Sequence, residues 1–324
     1  MVFWTARVSR AHEHERARTL AVRKTMTWFR RKRTREAALV VCFLLPSLAI
    51  FFLYRILPLG WNAWLSVHTW SPLKAAQFIG LEHYEEMLLD DDVFWQALAN
   101  TLIFIACSPL AIAAALGIAL LVNSDLRGAA VYRTIVFLSY PLMTVAVGII
   151  WRWLYDERGG FINYVLRSSG LIDQPVKFLQ SFDWALPCVI LADFWQVLGF
   201  YMIILLTGLQ SIPQHLYEAA RVNGVPASAR FFRITLPLLK PSIFLCVVVG
   251  ILNSFTSFDL IYVMTNGGPG HATELLITYI YKAGFGQTRF DYAAALTVVQ
   301  FLLLVVLTVI ANRLSGGNAG SLER

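Results

Sequence analysis

Polar and ionisable side chains interrupt two of the most apolar stretches of the chain. They are Asp193, Trp195, Gln196 and Tyr201 in the first stretch and Asn253, Ser254, Phe255, Ser257 and Asp259 in the second. Such groups are costly in hydrocarbon and often functional. All of them except Asp193 are predicted to line a solute path, because they offer hydrogen bonds for the hydroxyls of a sugar or polyol and aromatic faces for the apolar side of its ring. A second interpretation remains open, in which the acids lie at the membrane–water boundary and Asn253 and Ser254 make helix-packing contacts.

Motifs for catalysis or metal binding are absent from the sequence or incomplete. There is no GxxxxGK[ST] phosphate loop, and Gly267-Gly268-Pro269-Gly270 lacks the lysine that follows in such a loop. There is no GxSxG or HExxH motif, and His12-Glu13-His14-Glu15 has no companion ligands. The four cysteines lie in apolar segments without metal-ligand spacing and are expected to be packed thiols. We therefore expect no catalytic residue, metal or cofactor in this chain, and an energy source in another polypeptide.

The composition is that of a membrane protein. Of the 324 residues, 57% are hydrophobic and 15% are charged, whereas about 25% are charged in soluble domains. The net charge of +7 comes mostly from residues 1–35, a basic block that resists translocation and should stay in the cytoplasm. We therefore expect no nucleic-acid partner. We divide the chain into a basic cytoplasmic extension (1–35), a transmembrane domain (36–313) and a cytoplasmic tail (314–324).

Six stretches are apolar enough to span a membrane, given that a spanning helix needs about 20 apolar residues. They are residues 37–57, 98–122, 134–154, 184–209, 238–263 and 292–312. The acidic 58–97 connection contains one basic residue, Lys74, and is predicted to lie outside. Arg127 and Arg133 before the third span, and three arginines in the 210–237 connection, are predicted to lie inside. The chain is therefore predicted to be an all-α integral membrane protein of six transmembrane helices, with both termini in the cytoplasm.

Residues 211–241 form the longest polar interruption in the second half of the chain. Ser211 can cap a helix, and Pro213 fits its first turn. Asn223-Gly224 is predicted to end this helix, because both residue types tolerate the left-handed conformation. A second short helix is predicted to follow and to end before Leu236-Pro237. The sequence thus predicts a helix-turn-helix elbow.

The middle of the first arm contains Glu218, Ala219 and Ala220. One carboxylate beside two small side chains suits a helix that presses closely into a groove of another protein. An ordinary amphipathic interhelical loop is the alternative that the pattern leaves open.

The elbow resembles the EAA signature of membrane subunits of binding-protein-dependent ABC importers. The match is Glu218-Ala219-Ala220, three residues, Gly224, nine residues, and then Ile234-Thr235-Leu236-Pro237. In that family the stretch is a cytoplasmic coupling helix, between the fourth and fifth spans, that docks on the ATPase subunit. The family usually has Asp where this chain has Asn223, so the elbow here has one charge fewer. The resemblance implies an ATPase-coupling role for Tyr217, Glu218, Ala219, Ala220, Arg221, Asn223, Gly224, Leu236 and Pro237.

Other segments resemble sugar-type ABC permeases. Phe78-Ile79-Gly80-Leu81 and Ala99-Asn100-Thr101-Leu102 resemble the entry to the second span, and Gly160-Phe161-Ile162-Asn163 resembles the segment after the third. Residues 258–265, followed by Gly267-Gly268-Pro269, resemble the permease of maltose- and glycerol-phosphate-type importers that pairs with a maltose-G-like partner. The resemblance covers about residues 36–313 and implies the type I ABC importer permease fold.

The resemblance also implies the assembly and its location. The expected partners are a second homologous permease, two ATPases that bind ATP and Mg, membrane lipid, and a periplasmic or lipid-anchored solute-binding protein that meets segments 58–97 and 264–291. The expected location is the bacterial inner membrane. The implied cargo is a carbohydrate, a polyol, or glycerol phosphate and its diesters.

Two further functional classes remain as alternatives. A proton- or ion-coupled secondary carrier would use Asp193 and Asp259, would work without ATPases, and usually has internal repeats, which are not visible here. An intramembrane enzyme would need a paired catalytic constellation, which the sequence lacks.

Overall fold

A computed structural model of the chain describes residues 39–71, 74–123 and 128–314. The predicted extension 1–35, the start of the first predicted span and residues 315–324 of the predicted tail lie outside this part of the chain, as does Arg127. The contacts between residues group the chain into two compact units, of which one ends at Trp61 and the other begins at Asn62. The described part of the first unit belongs to a single helix, and all other described elements belong to the second unit.

The described elements are mostly helices. They are α1 (Leu39–Leu65), α2 (Glu82–Leu89), α3 (Asp92–Val122), α4 (Ala129–Phe137), α5 (Thr144–Leu154), α6 (Phe161–Ser168), α7 (Ala185–Gln210), α8 (Gln214–Val222), α9 (Ala227–Leu238), α10 (Lys240–Thr256), α11 (Phe258–Met264), α12 (Leu276–Tyr281) and α13 (Phe290–Leu314). The strands β1 (His68–Ser71) and β2 (Lys74–Phe78) pair antiparallel.

Most of the predicted spans correspond to long apolar helices. α1, α3, α7 and α13 are each long and apolar enough to cross a membrane. The fifth predicted span starts within a pair, α9 and α10, that satisfies the same criteria together and bends by 63° at the break between them. The chain is thus a mostly helical integral membrane protein, as the sequence predicted. The fifth predicted span was drawn too long, because α10 ends at Thr256 and α11 begins as a separate helix at Phe258.

The third predicted span, 134–154, is not a single helix. α4 ends at Phe137 and α5 begins at Thr144, with Pro141 between them. Proline has no N–H to donate and disfavours the helical conformation in the residue before it. The prediction of one continuous helix here was therefore wrong.

Two prolines that lie inside helices each follow a π-turn. Phe52–Ile56 precedes Pro58 in α1, and Phe231–Thr235 precedes Pro237 in α9. A π-turn widens the helix locally, which accommodates a proline that cannot donate a backbone hydrogen bond. α9 consequently continues to Leu238. The prediction that this arm ends before Leu236-Pro237 was wrong.

The main contact between spanning helices joins α3 and α7. Ala111, Ala115 and Ala119 repeat every four residues on one face of α3 and lie in one buried cluster with Leu205 and Leu209 of α7. Residues four apart share a helix face, so small side chains on α3 leave room for large ones on α7.

The four cysteines are all unpaired. Cys188 and Cys246 are buried and Cys107 is half-buried, as expected for packed thiols. Cys42 in α1 is exposed, so that expectation fails for this residue.

The hairpin β1–β2 was missed by the all-α prediction. Its strands have four and five residues, which is too short to give a clear alternating pattern. The backbone N–H of Trp70 donates to Asp291 Oδ2 over 3.0 Å, and His83 Nε2 lies 3.8 Å from the same oxygen. The hairpin is therefore fixed to the start of α13.

Candidate functional site: the coupling elbow and the polar groups of the spans

The first arm of the elbow, α8, begins without a side-chain cap. Its N-cap residue is Pro213, and no side chain accepts a hydrogen bond at this position. The hydroxyl of Ser211 instead donates to the carbonyl oxygen of Gly208, 2.7 Å away, at the end of α7. The prediction that Ser211 caps α8 was wrong, because this residue still belongs to the last turn of α7.

The arm ends at Gly224 in a Schellman motif. Gly224 has φ +67°, a conformation that residues with a Cβ adopt at a cost. The N–H of Val225 donates to the carbonyl oxygen of Ala220 over 2.9 Å, and the N–H of Gly224 donates to that of Arg221 over 3.0 Å. The exposed Arg221 thus lies in the last turn of α8, and the helix ends where the sequence predicted.

Asn223 makes a hydrogen bond that an aspartate could not make. Its side-chain amide donates to the carbonyl oxygen of Ala219 over 2.8 Å. An ionised carboxylate has no hydrogen to donate. Compared with an aspartate at this position, Asn223 carries no charge but makes a hydrogen bond that holds the last turn of α8.

One face of α8 is exposed while the opposite side is buried. His215, Glu218, Ala219 and Val222 are spaced i, i+3, i+4 and i+7 and are all exposed, with Val222 88% accessible. Ala220 points the other way and is 8% accessible. We call the four exposed residues the outer face of α8. Sequence reasoning missed His215 and Val222, although their helical spacing from Glu218 and Ala219 was a usable signal.

The two arms of the elbow are joined to each other and to the core. The Tyr217 hydroxyl lies 3.0 Å from the hydroxyl of the buried Thr235 in α9. Tyr217 and Leu216 also pack against the buried cluster of α3 and α7. Of the other predicted coupling residues, Leu236 is half-buried and Pro237 exposed within α9. These contacts therefore hold α8 in place from the side opposite its outer face.

Two of the predicted path residues, Tyr201 and Asn253, form one polar group with Asp193 between α7 and α10. Tyr201, which is 1% accessible, has its hydroxyl close to the side chains of Asn253 and of the half-buried Asp193. Among the described residues, none donates a hydrogen bond to the Asp193 carboxylate. A Cβ at Gly250 would lie 3.2 Å from the Tyr201 hydroxyl, so glycine makes room for this group.

Gln196 lies on a different contact and bridges the break in the third predicted span. Its amide nitrogen donates to the carbonyl oxygen of Leu142 over 3.1 Å and to the Thr144 hydroxyl over 3.3 Å. Its own backbone carbonyl accepts from the Ser139 hydroxyl over 3.4 Å. Gln196 is 8% accessible. It therefore supplies hydrogen bonds at the interrupted end of α4 and the start of α5.

The hydroxyls of the α10 segment bond mainly to their own helix. Ser254 and Ser257 each donate to the backbone carbonyl four residues earlier, over 2.9 and 2.8 Å. Phe255 is buried, and its carbonyl oxygen accepts from the Gln300 amide over 3.3 Å. The contact from Gln300 joins α10 to α13.

Trp195 and Asp259 lie apart from the polar group of Tyr201. Trp195 is 39% accessible and packs edge-on against Trp151, with ring centroids 6.0 Å apart. Asp259 is exposed in the first turn of the short helix α11. The structure thus brings Asp193, Tyr201 and Asn253 together and places Trp195 and Asp259 in other surroundings.

The sequence analysis missed a hydrogen-bond network around the carboxylate of Asp91, at the start of α3. Asp91 Oδ2 accepts from the hydroxyls of Tyr279, over 2.5 Å, and Tyr292, while Asp91 Oδ1 caps α3 by accepting from the N–H of Phe94 over 2.9 Å. Burial, with the neighbouring Asp91 carboxylate, raises the pKa of Tyr279. The network joins α3, α12 and α13.

Glu274 is fully buried in the loop that precedes α12. Its Oε2 accepts from Lys282 Nζ over 2.5 Å and lies 3.2 Å from His271 Nδ1. The Asn100 amide donates to the backbone carbonyls of His271 and Glu274 over 3.1 and 2.9 Å. Across the described part of the chain, no group of three or more His, Cys, Asp and Glu side chains is placed to hold a metal ion.

The comparison with protein families gives one match. Residues 107–316 match the family described as "Binding-protein-dependent transport system inner membrane component". This range contains the elbow and the polar group of Tyr201. It corresponds to well over half of the 324 residues.

Curated relatives and solved structures match over nearly the whole chain. The sulfoquinovosyl glycerol transport system permease protein SmoG of Agrobacterium fabrum is 34% identical over 86% of this chain and 91% of that protein. The trehalose/maltose transport system permease protein MalF of Thermococcus litoralis is 34% identical over 85% and 93%. A chain of the bacterial alginate ABC transporter, in complex with an alginate pentasaccharide-bound periplasmic protein, is 25% identical over 89% and 98%, with a TM-score of 0.78. The chain therefore belongs to the family of inner membrane components of binding-protein-dependent ABC transport systems.

Proposed function

We propose that this chain is a transmembrane subunit of an ATP-driven importer of a carbohydrate, polyol or glycerol-phosphate-type solute. Similar proteins are named for a sulfoquinovosyl glycerol, for trehalose and maltose, and for sn-glycerol-3-phosphate. The proposal relies mainly on one observation: α8 exposes one face and is braced from behind by Thr235 and by the buried cluster of α3 and α7.

The outer face of α8 binds an ATPase subunit in this proposal. The exposed Ala219 permits close approach, Val222 provides an apolar contact, and Glu218 and His215 provide polar ones. The ATPase must bind this face differently before and after hydrolysis, because a partner with equal affinity for two conformations shifts neither. The break at Leu239 then passes the movement to α10, which carries Asn253.

The assembly contains a second permease subunit, two ATPases that hold ATP and Mg, and a solute-binding protein. The chain itself performs no catalysis in this proposal. The chain lies in the bacterial inner membrane, and the elbow and both termini lie on its cytoplasmic side. The hairpin and the loop around Glu274, at the other ends of the spanning helices, meet the binding protein.

The solute path passes the polar group of Asp193, Tyr201 and Asn253. Its amide, hydroxyl and carboxylate can hydrogen-bond the hydroxyls of a polyol or sugar. Trp195 and Asp259 belong to the path at greater distance, while Gln196, Ser254, Phe255 and Ser257 support the helices that form it. An ion-coupled carrier using Asp193 and Asp259 is the second candidate, and membership in an ABC transport family does not favour it.

The test is to purify the full-length chain in detergent together with its co-purifying subunits and then to measure solute-stimulated ATP hydrolysis. We expect an ATPase to co-purify with the wild type and to be lost or uncoupled with Glu218→Lys on the outer face of α8. Ser228→Lys is the matched control, because it introduces the same basic side chain at an exposed position of α9. Solute uptake that needs a proton gradient and no ATPase would contradict the proposal.

A further inference from the structure

A cavity of about 560 Å³ lies beside the short helix α6. Trp153, from the end of α5, and Arg158, from the following turn, form one side, and Phe161, Tyr164 and Arg167 of α6 form another. The cavity precedes α7 in the chain and the elbow follows α7, so the two lie at opposite ends of this spanning helix. No function proposed above uses it.

The turn that carries Arg158 is held by hydrogen bonds. Asp156 Oδ1 accepts from the N–H groups of Arg158 and Gly159 over 3.0 and 2.8 Å, and these bonds lower the pKa of the Asp156 carboxyl. The buried Asn163 amide donates to the backbone carbonyls of Asp156 and Val176 over 3.1 and 3.0 Å. The cavity therefore has a preformed wall.

The cavity presents two guanidinium groups that have no ion-pair partner among the residues that the structure describes. Arg158 and Arg167 are exposed, and neither forms a salt bridge with any described residue. Arg158 is near enough to Asp156 for a weaker electrostatic interaction. Glu157 also lines the cavity, but its carboxylate lies 3.9 Å from Lys177. Guanidinium groups bind phosphate through paired hydrogen bonds. The surplus positive charge fits an anion.

The exposed side of α6 is aromatic and apolar. Phe161, Tyr164 and Val165 are spaced i, i+3 and i+4 and are exposed, with Tyr164 70% accessible. Trp153, at the end of α5, is 60% accessible. Aromatic rings beside basic groups on a short amphipathic helix are typical of the membrane–water interface.

We propose that this cavity binds an anionic phospholipid in the leaflet opposite the elbow. Arg158 and Arg167 hold the headgroup phosphate, and the lipid chains lie along Phe161, Tyr164 and Val165. The apolar side favours a lipid over a free anion, since a small ion gains nothing from aromatic rings. Bound lipid in turn fixes α6 at the interface.

The test is native mass spectrometry of the delipidated full-length chain with its co-purifying subunits. It is titrated in parallel with palmitoyl-oleoyl phosphatidylglycerol and palmitoyl-oleoyl phosphatidylcholine. We expect the wild type to prefer phosphatidylglycerol, and each of Arg158→Gln and Arg167→Gln to weaken its binding about fivefold, the effect of one basic residue near an anionic surface. Excess inorganic phosphate should leave the lipid bound. Displacement by phosphate would assign the cavity to a free anion and overturn the proposal.

Arg152→Gln is the matched control, because Arg152 is an exposed basic residue of the same region that does not line the cavity. It should leave lipid preference unchanged, and equal losses in all three variants would reveal nonspecific attraction and overturn the proposal. A double variant, Arg158→Gln with Arg167→Gln, that retains the lipid but no longer binds the solute-binding protein would assign the surface to a protein partner instead. If the double variant does not fold, Arg167→Lys decides, since it keeps the charge and should keep the preference for phosphatidylglycerol. Loss of that preference would also overturn the proposal.

Discussion

The hydroxyl oxygens of Tyr217 and Thr235 lie 3.0 Å apart and join the two arms of the elbow. The covalent link between the arms is the turn around Gly224, which is exposed, and a Cβ added there would meet no neighbouring side chain within 4 Å. The contact therefore joins the packing of Leu216 and Tyr217 on the buried cluster in holding α8 against α9.

Tyr217→Phe removes this hydrogen bond and leaves the ring in place. We expect a loss of stability of about 1 kcal/mol, the usual contribution of one hydrogen bond, together with weaker coupling of ATP hydrolysis to uptake. Thr235→Val gives the matched loss from the other side. In thermal unfolding, the double variant should be no worse than either single variant, and strictly additive effects would show that the two hydroxyls do not interact.

Gly224→Val should disturb the end of α8. A side chain at φ +67° costs about 1–2 kcal/mol, and a β-branched residue is poorly suited to this conformation. We expect normal membrane insertion but hydrolysis that is uncoupled from uptake. Gly224→Asn is the control, because asparagine tolerates the left-handed region. Wild-type solute-stimulated hydrolysis in Gly224→Val would show that the turn is not part of the coupling.

Gln196→Leu should destabilise the protein more than it changes solute recognition. The substitution removes the hydrogen bonds to the carbonyl of Leu142 and the hydroxyl of Thr144, and one hydrogen bond usually contributes about 1 kcal/mol. The thermal midpoint should fall while the apparent affinity for solute is kept. Gln210→Leu, at an exposed position at the end of α7, should leave the midpoint unchanged. An altered affinity with normal stability would instead place Gln196 in the path.

Asn253→Leu tests the solute path directly. Loss of the side-chain amide removes a polar neighbour of Tyr201 and one partner for a solute hydroxyl. We expect slower uptake at normal membrane abundance. Thr256→Val, at an exposed position of the same helix, should transport normally. Unchanged affinity and rate in Asn253→Leu would remove this residue from the path.

The pH dependence of stability should report on Tyr279. Its pKa is raised in the folded protein, so above about pH 10, the ordinary pKa of tyrosine, the unfolded chain releases a proton that the folded chain keeps. This contribution to stability is complete below that pH and declines as the pH rises. Tyr279→Phe should unfold at a lower temperature at neutral pH and lose less stability between neutral and high pH. An identical pH profile in wild type and variant would contradict this account.

The sequence was most informative where a local rule acts alone. Gly224 predicted the end of α8 because few residue types adopt its conformation without cost. The long spans α3, α7 and α13 followed from length and apolar composition. The same rule failed at Pro141, because an apolar stretch has the same composition whether or not its helix is broken.

Contacts between distant residues could not be read from the sequence. Gln196 was expected in the path, yet its amide bonds residues 52 and 54 positions earlier in the chain. The ties from Asp91 to Tyr279 and Tyr292 join residues about 190 to 200 positions apart. No local pattern announces such pairings, which depend on how the helices pack.

The 63° bend between α9 and α10 converts the direction of a movement. A displacement along the axis of α9 has a larger component across α10 than along it. A force on α9 along its axis would therefore tilt α10 and would not move it along its own axis. Leu239, the residue at the corner, is completely buried and acts as the fulcrum. A subunit built in this way would open a gap between its helices by rotation, without any helix having to slide through lipid.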